Sequence, residues 1–265
     1  MVPTLLFLPG TLCDARVWHE TRQALREWPC AVVDYRFETS ISAMAAAALD
    51  EATGSIIPIG LSMGGIVALD MWRQAAGRIA AMALFDTDPG ADTPERRLKR
   101  DAHLNTATRG DFRAMIESQL APTYFSQAHS SDQTLRASDK SLTSVVVEMA
   151  LDQGAAAFAA QANALATRTD AWPLFEGINV PTLIACGAED RICPPQTHVR
   201  MAAQLPMGMA TFRTIAGAGH LSPLEQPEAV TRVLRTWLNH VVSSSGVGHH
   251  ATAQTVASAM ASVKK

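Results

Sequence analysis

Ile56-Ile57-Pro58-Ile59-Gly60-Leu61-Ser62-Met63-Gly64-Gly65-Ile66-Val67-Ala68-Leu69 is the stretch whose reading decides the fold. The apolar run 56–59 reads as a buried strand and the run 66–73 as a covering helix, joined by Gly60-Leu61-Ser62-Met63-Gly64-Gly65. In that setting G-x-S-x-G has a mechanical meaning. The serine sits on a sharp strand-to-helix turn where neighbouring side chains would clash, so Gly60 and Gly64 leave room and Ser62 is pushed outward. The helix starting at Met63 aims free N–H groups and its positive dipole end at the serine, which favours a developing oxyanion. A plain Gly-rich turn would carry the same spacing, so the partners of Ser62 must decide.

On either side of this stretch, short apolar runs alternate with helical segments, the pattern of a mostly parallel sheet flanked by helices. Strands are expected over 4–8, 31–34, 55–59, 80–85, 182–186 and 210–215, and helices over 15–28, 42–51, 63–76, 197–205 and 227–241. From Asp88 to about residue 170 the strand signal stops. Thr93-Pro94-Glu95 opens one helix, with Thr as N-cap and Pro at the first position, and further helices are expected over 112–120, 142–152 and 155–167. Some 80 residues without a strand is too long for an ordinary connection, so 88–170 is expected to be a helical cap inserted into an α/β core of 1–87 and 171–242. The tail 243–265 is rich in Ser, Ala and Gly and has no aromatic residue. It offers little apolar area against its ordering entropy and is expected to be disordered or weakly helical.

Composition removes several function classes. With 265 residues and 48% hydrophobic, the chain can bury a real core, and a formal net charge of -3 gives no general pull toward nucleic acid or an anionic membrane. The opening residues have no basic stretch ahead of a short apolar run that soon meets Pro9-Gly10, unlike a signal peptide, and no run approaches a membrane span. Cys13, Cys30, Cys186 and Cys193 lack CxxC spacing and are expected to be free thiols in a cytoplasmic protein. Arg96, Arg97, Lys99 and Arg100 read as a solvated helix face, and His249-His250 has no further ligand at metal-site spacing, so no metal is expected.

A serine hydroxyl is a poor nucleophile until an imidazole takes its proton, and the imidazole needs a carboxylate to fix its tautomer. Gly217-Ala218-Gly219-His220 follows the strand over 210–215, and Gly187-Ala188-Glu189-Asp190 follows that over 182–186, so both side chains fall where parallel-sheet sites collect. The chain order is then Ser62, Asp190, His220. Asp86 and Asp88, after the strand ending at Phe85, are rival acids whose bland reading is capping or surface carboxylates; Asp190 is preferred.

With these motifs in place, the chain resembles the α/β-hydrolase-fold serine carboxylesterases, the superfamily that includes pimeloyl-carrier-protein methyl ester esterases, enol-lactonases and non-haem haloperoxidases. The resemblance runs from about Thr4 to Leu238 and is weakest in the cap. Besides the serine turn, it rests on Val180-Pro181-Thr182-Leu183 through Gly187, Asp190 and Pro194, and on Gly219-His220-Leu221 through Glu225, Pro227 and Glu228. Phe7-Leu8-Pro9-Gly10-Thr11-Leu12-Cys13 resembles the family's oxyanion loop, and by position implies backbone donors at Thr11 and Met63. Pro9 stands where the family has a histidine, and the sequence lacks the family's usual opening strand pair, so the sheet is expected to be smaller at that edge.

The resemblance implies a cofactor-free enzyme that cleaves a small carboxylic ester or lactone through an acyl-enzyme. An acyltransferase or perhydrolase would use the same three residues, and a ligand-binding sensor would use the capped pocket without turnover. Dehalogenases and epoxide hydrolases of the fold use a carboxylate nucleophile, so Ser62 argues against both. Phe112, Met115, Tyr124, Phe125, Met149 and Phe158 are expected to be mostly cap core, with a few facing an apolar acyl or alkyl group. Cys13 is expected to be a small packed residue, and His19, His103, His129 and His198 to lie at the surface.

Overall fold

The computed structural model describes residues 2–130 and 141–244. Strands β1 (Thr4–Leu8), β2 (Cys30–Val32), β3 (Ile56–Leu61), β4 (Met82–Phe85), β5 (Thr182–Gly187) and β6 (Ala210–Ile215) form one sheet in the order β2-β1-β3-β4-β5-β6. Every pairing is parallel. The chain leaves β1 for β2 on one side and returns to β3 on the other, so the order reverses between β1 and β3. Ligands of open parallel sheets collect in the crevice at such a reversal, beyond the carboxyl ends of the strands. Leu8 pairs with Gly60 and Leu61 with Phe85, which ends β1, β3 and β4 around that crevice.

Helices α1 (His19–Ala24), α2 (Ile41–Asp50) and α3 (Met63–Ala75) follow the first three strands in turn. After β4 come α4 (Pro94–Thr106), α5 (Phe112–Met115), α6 (Ala121–Tyr124), α7 (Gln127–Ser130) and α8 (Leu142–Ala166), with no strand among the described residues there. The chain then returns through β5, α9 (Pro195–Gln204), β6, α10 (Ser222–Glu225) and α11 (Pro227–Ser244).

Successive strand side chains point to opposite faces, and the sequence fills both with apolar residues. Leu5, Phe7, Ile57, Ile59, Ala83, Phe85, Leu183 and Ala185 enter one core, shared with α11 and with α8. Leu6, Leu8, Ile56, Met82, Leu84 and Ile184 enter the other, covered by α2 and α3. Each fully buried Leu, Ile or Phe stabilises the fold by about 1.5–3 kcal/mol. Trp18 sits between Phe7 and Phe85, with ring centroids at 5.3 and 5.6 Å, and so ties the chain after β1 to the centre of the sheet.

Several expected boundaries move. β2 is shorter and starts one residue earlier than expected, β3 runs on to Leu61 beside the serine, and β4 begins at Met82, preceded by an isolated bridge between Ile79 and Ile56. The helix expected over 15–28 is a 3₁₀ turn, Ala15–Trp18, capped by Asp14, followed by the short α1. Thr93 caps α4 as expected, its Oγ1 accepting from Arg96 N–H at 3.2 Å. The two helices expected over 142–152 and 155–167 are both present, joined end to end as α8 across a kink at Gly154, whose φ 85, ψ 164 is not helical. The basic run is not simply solvated. Arg96 pairs with Asp88 at 2.7 Å and Arg100 with Asp92 at 2.5 Å, tying α4 to the chain that leaves β4.

Among the described residues no helix is long and apolar enough to cross a membrane. The expectations for the tail beyond residue 244, including His249-His250, lie outside the described residues.

Candidate active site

Ser62 connects β3 to α3 with φ 53, ψ -115, a left-handed conformation that costs a residue bearing a side chain roughly 1–3 kcal/mol. The surroundings hold it there. Ser62 N–H donates to Phe85 O at 2.9 Å, and Ser62 O accepts from Gly65 N–H at 2.9 Å and Thr87 Oγ1 at 2.7 Å. The glycines are fixed by space: a Cβ on Gly60 would lie 2.3 Å from Gly64 O, and one on Gly64 would lie 2.1 Å from Leu8 O. Close packing of α3 on the ends of β1 and β3 therefore needs both.

The three side chains expected from the sequence meet. His220 Nε2 lies 2.9 Å from Ser62 Oγ, and His220 Nδ1 lies 2.9 Å from Asp190 Oδ2. The other oxygen, Asp190 Oδ1, accepts from Ile192 N–H at 2.8 Å and Cys193 N–H at 2.9 Å, which orients the carboxylate. Asp190 and His220 are buried, while Ser62 is half-buried. Burial alone would lower the imidazole's pKa, but the Asp190 carboxylate, with Asp86 and Glu225 behind it, outweighs burial and raises it above the ordinary value. A Cβ on Gly187 would lie 2.0 Å from Gly219 O, so the acid and histidine loops pack backbone to backbone.

The loop after β1 lies against the serine. A Cβ on Gly10 would come 3.3 Å from Ser62 Cβ, and Thr11 Oγ1 lies 3.7 Å from Met63 Sδ. The N–H of Met63, at the first turn of α3, has no intrahelical acceptor, as for any helix N-terminus. Tyr35 donates its hydroxyl proton to Pro9 O, and Leu12 N–H donates to Gln161 Oε1 of α8 at 2.8 Å. Beside this loop lies a cavity of ≈ 390 Å³ whose lining includes Cys13, Arg16, Tyr35, Gln153 and Gln161. Cys13 is buried and free, and burial pushes its thiol up to about 12, so it packs as a small apolar residue and is no nucleophile.

Asp86 corrects one expectation, for it is neither a cap nor a surface group. It is fully buried at φ 48, accepting from Gly187 N–H at 2.7 Å and lying 2.5 Å from Ser222 Oγ. Burial, with Asp190 nearby, raises its carboxyl well above the usual range. Asp88 accepts from Gly90 N–H and pairs with Arg96. His198, expected at the surface, is fully buried. Its Nε2 accepts Thr87 N–H at 3.0 Å and its Nδ1 faces Pro194 O at 3.2 Å, so a neutral ring buttresses the threonine that holds Ser62 O. His19 is exposed, and His103 and His129 are half-buried.

Asp190, Cys193 and His220 place ligand atoms within 4.8 Å of one another, yet their chemistry does not suit a cation. Both carboxylate oxygens are already engaged, and burial, with Asp190 nearby, raises the Cys193 thiol well above its ordinary pKa.

Sequence reasoning missed the contacts through which the helical segment grips these loops. Tyr124 O accepts His220 N–H at 2.7 Å, with the two rings 6.0 Å apart. Glu225, quoted above only as part of the histidine stretch, bridges Gly219 N–H at 2.7 Å and Ser126 N–H at 2.8 Å. Phe125, Met115, Met149 and Phe158 are core residues, as expected for most of that group. The available signal for the others was a polar residue at a buried helix position, as Gln153 and Gln161 are in the Ala-rich α8.

Comparison with known proteins agrees with this architecture. The sequence model of the family described as "Alpha/beta hydrolase family" matches residues 5–233. A 2-succinyl-6-hydroxy-2,4-cyclohexadiene-1-carboxylate synthase of Serratia proteamaculans is 26% identical over 254 residues, covering 89% of this chain and 93% of that protein. A thermophilic esterase from Thermogutta terrifontis, solved with malate bound, superposes with a TM-score of 0.78 at 28% identity, covering 90% of both chains. The enol-lactonase from Burkholderia xenovorans LB400 has a TM-score of 0.77 at 20% identity, covering 90% of this chain and 92% of that one, a likeness of fold.

Proposed function

The chain belongs to the alpha/beta hydrolase family, and from that premise we propose that it is a serine hydrolase cleaving a small carboxylic ester or lactone through an acyl-enzyme. The observation that carries this reading is the chain of contacts from Ser62 Oγ to His220 Nε2 and from His220 Nδ1 to Asp190 Oδ2, each 2.9 Å, at a strained serine beside a helix N-terminus. Ser62 Oγ attacks the carbonyl carbon as His220 Nε2 takes the hydroxyl proton. Asp190 holds the tautomer with Nδ1 protonated and stabilises the imidazolium. The N–H groups of Thr11 and Met63 receive the oxyanion. Collapse expels the alcohol, which takes the proton from His220; water, deprotonated by the same ring, then releases the acid and restores Ser62.

The helical segment over 88–170 acts in this account as a cap, and the Tyr124 ring it sets 6.0 Å from that of His220 favours an acyl or alkyl group over a polyanion. The test is a screen of p-nitrophenyl esters of increasing acyl length, followed by lactones and carrier-bound esters. Turnover that falls off beyond a definite acyl length supports the reading; no turnover on any ester or lactone contradicts it.

The synthase relative, matched over 89% of this chain, favours a second reading. In it Ser62, Asp190 and His220 serve a synthase reaction, and a folded protein that turns over none of the esters or lactones of that screen would favour it.

A further inference from the structure

Gly10, Thr11, Leu12 and Cys13 form a tight turn closed by Cys13 N–H donating to Gly10 O at 3.1 Å. Leu12, its third residue, has φ 57. A positive φ at the third position is the mark of a type II turn, which normally takes glycine or asparagine there. Leucine at that place favours the type I alternative, in which the central peptide, between Thr11 and Leu12, turns over by roughly half a rotation. Something must hold the disfavoured form. The N–H of that peptide is captured by Gln161 Oε1 at 2.8 Å, and Gln161 is 2% exposed. At the end of the turn Cys13 O accepts from Gln153 Nε2 at 3.4 Å, with Gln153 7% exposed. Both glutamines come from α8, one on each side of the kink at Gly154. Turning the peptide over would leave Leu12 N–H and Gln161 Oε1 buried without partners.

We propose that Gln161, assisted by Gln153, is a positioning residue for the oxyanion hole: by holding the Thr11–Leu12 peptide it fixes the turn whose preceding peptide carries Thr11 N–H, so that donor is held in place only while α8 is docked. The inference rests on the serine-hydrolase reading and deepens it, because it makes the helical segment part of the catalytic geometry as well as a cover. Gln161 touches no reacting atom; it acts through the turn.

The test compares the parent enzyme, Gln161→Met and Leu12→Gly/Gln161→Met on a turned-over ester. Methionine keeps the length and loses the acceptor, so kcat should fall about tenfold or more, with KM changed by less than about twofold, as for other losses of oxyanion stabilisation. Glycine at position 12 takes a positive φ without cost, so the double variant should recover much of that loss. A folded Gln161→Met with parent kcat, or a double variant no better than the single, overturns the inference. If Gln161→Met does not fold, hydrogen exchange on the parent decides. Amides of the turn should open together with those of α8, and a turn that exchanges freely while α8 stays protected contradicts the coupling. Fluorophosphonate labelling of Ser62 in the parent keeps the two claims apart: no labelling removes the serine-hydrolase reading, whereas labelling with parent kcat in Gln161→Met removes this inference alone.

Discussion

Asp190 divides its carboxylate between two tasks: Oδ2 lies 2.9 Å from His220 Nδ1, while Oδ1 takes the N–H groups of Ile192 and Cys193. An amide at this position can keep the loop contacts but presents the wrong partner to the imidazole. Asp190→Asn should therefore lower kcat by about 10⁴, the size of the effect in another Ser-His-Asp enzyme, with thermal stability changed little. Asp88→Asn, whose side chain pairs with Arg96, should leave kcat near the parent value. A reverse ranking would move the acid to the chain after β4.

In the proposed mechanism His220 can accept the serine proton only when neutral. Its pKa stands above the ordinary imidazole value because the Asp190 carboxylate outweighs burial. The acid limb of kcat/KM should accordingly lie above pH 6.5, with activity lost as pH falls through it. In Asp190→Asn the residual activity should show that limb moved to lower pH, since burial is then less opposed. A limb that stays in place would detach it from His220.

Asp86 gives a prediction about stability. Its carboxyl is raised in the folded protein, so the folded state holds that proton more tightly than the unfolded chain does. Stability from this group is present below the unfolded value near 3.8 and is lost as pH rises through the raised folded value. Asp86→Asn removes the titration and keeps an acceptor for Gly187 N–H. Urea unfolding of parent and variant should show the difference moving in the variant's favour as pH rises. A pH-independent difference would mean that Asp86 is not raised.

Gly64 tests the packing of the serine turn. Alanine favours a helix over glycine by about 1 kcal/mol, but here its Cβ would lie 2.1 Å from Leu8 O and 2.8 Å from Pro9 O. Backbone atoms at the end of β1 cannot swing aside, so Gly64→Ala should destabilise by roughly 1–3 kcal/mol, as overpacked cores do, and depress turnover. Gly77→Ala, with nothing within 4 Å of its Cβ position, is the control and should be neutral or stabilising in the same melt.

What the sequence made legible was whatever is written in contiguous residues. The serine turn was readable because strand, Gly-x-Ser-x-Gly and helix are adjacent, and Asp190 and His220 because each follows its own apolar strand. The two helical runs of α8 were readable as well, because non-helical Gly154 falls between them. The burial of His198 and Asp86 was hidden, because each depends on a partner far along the chain, Thr87 for one and Gly187 for the other. Gln161 was hidden for the same reason, its partner Leu12 lying in another layer.

The central claim is a covalent bond to Ser62, and the most direct measurement is rapid-quench mass spectrometry of the intact protein during turnover of a p-nitrophenyl ester. The account predicts one acyl group per chain, located by peptide mapping at Ser62 and absent in Ser62→Ala. Turnover without any adduct, or an adduct that persists in Ser62→Ala, would contradict it.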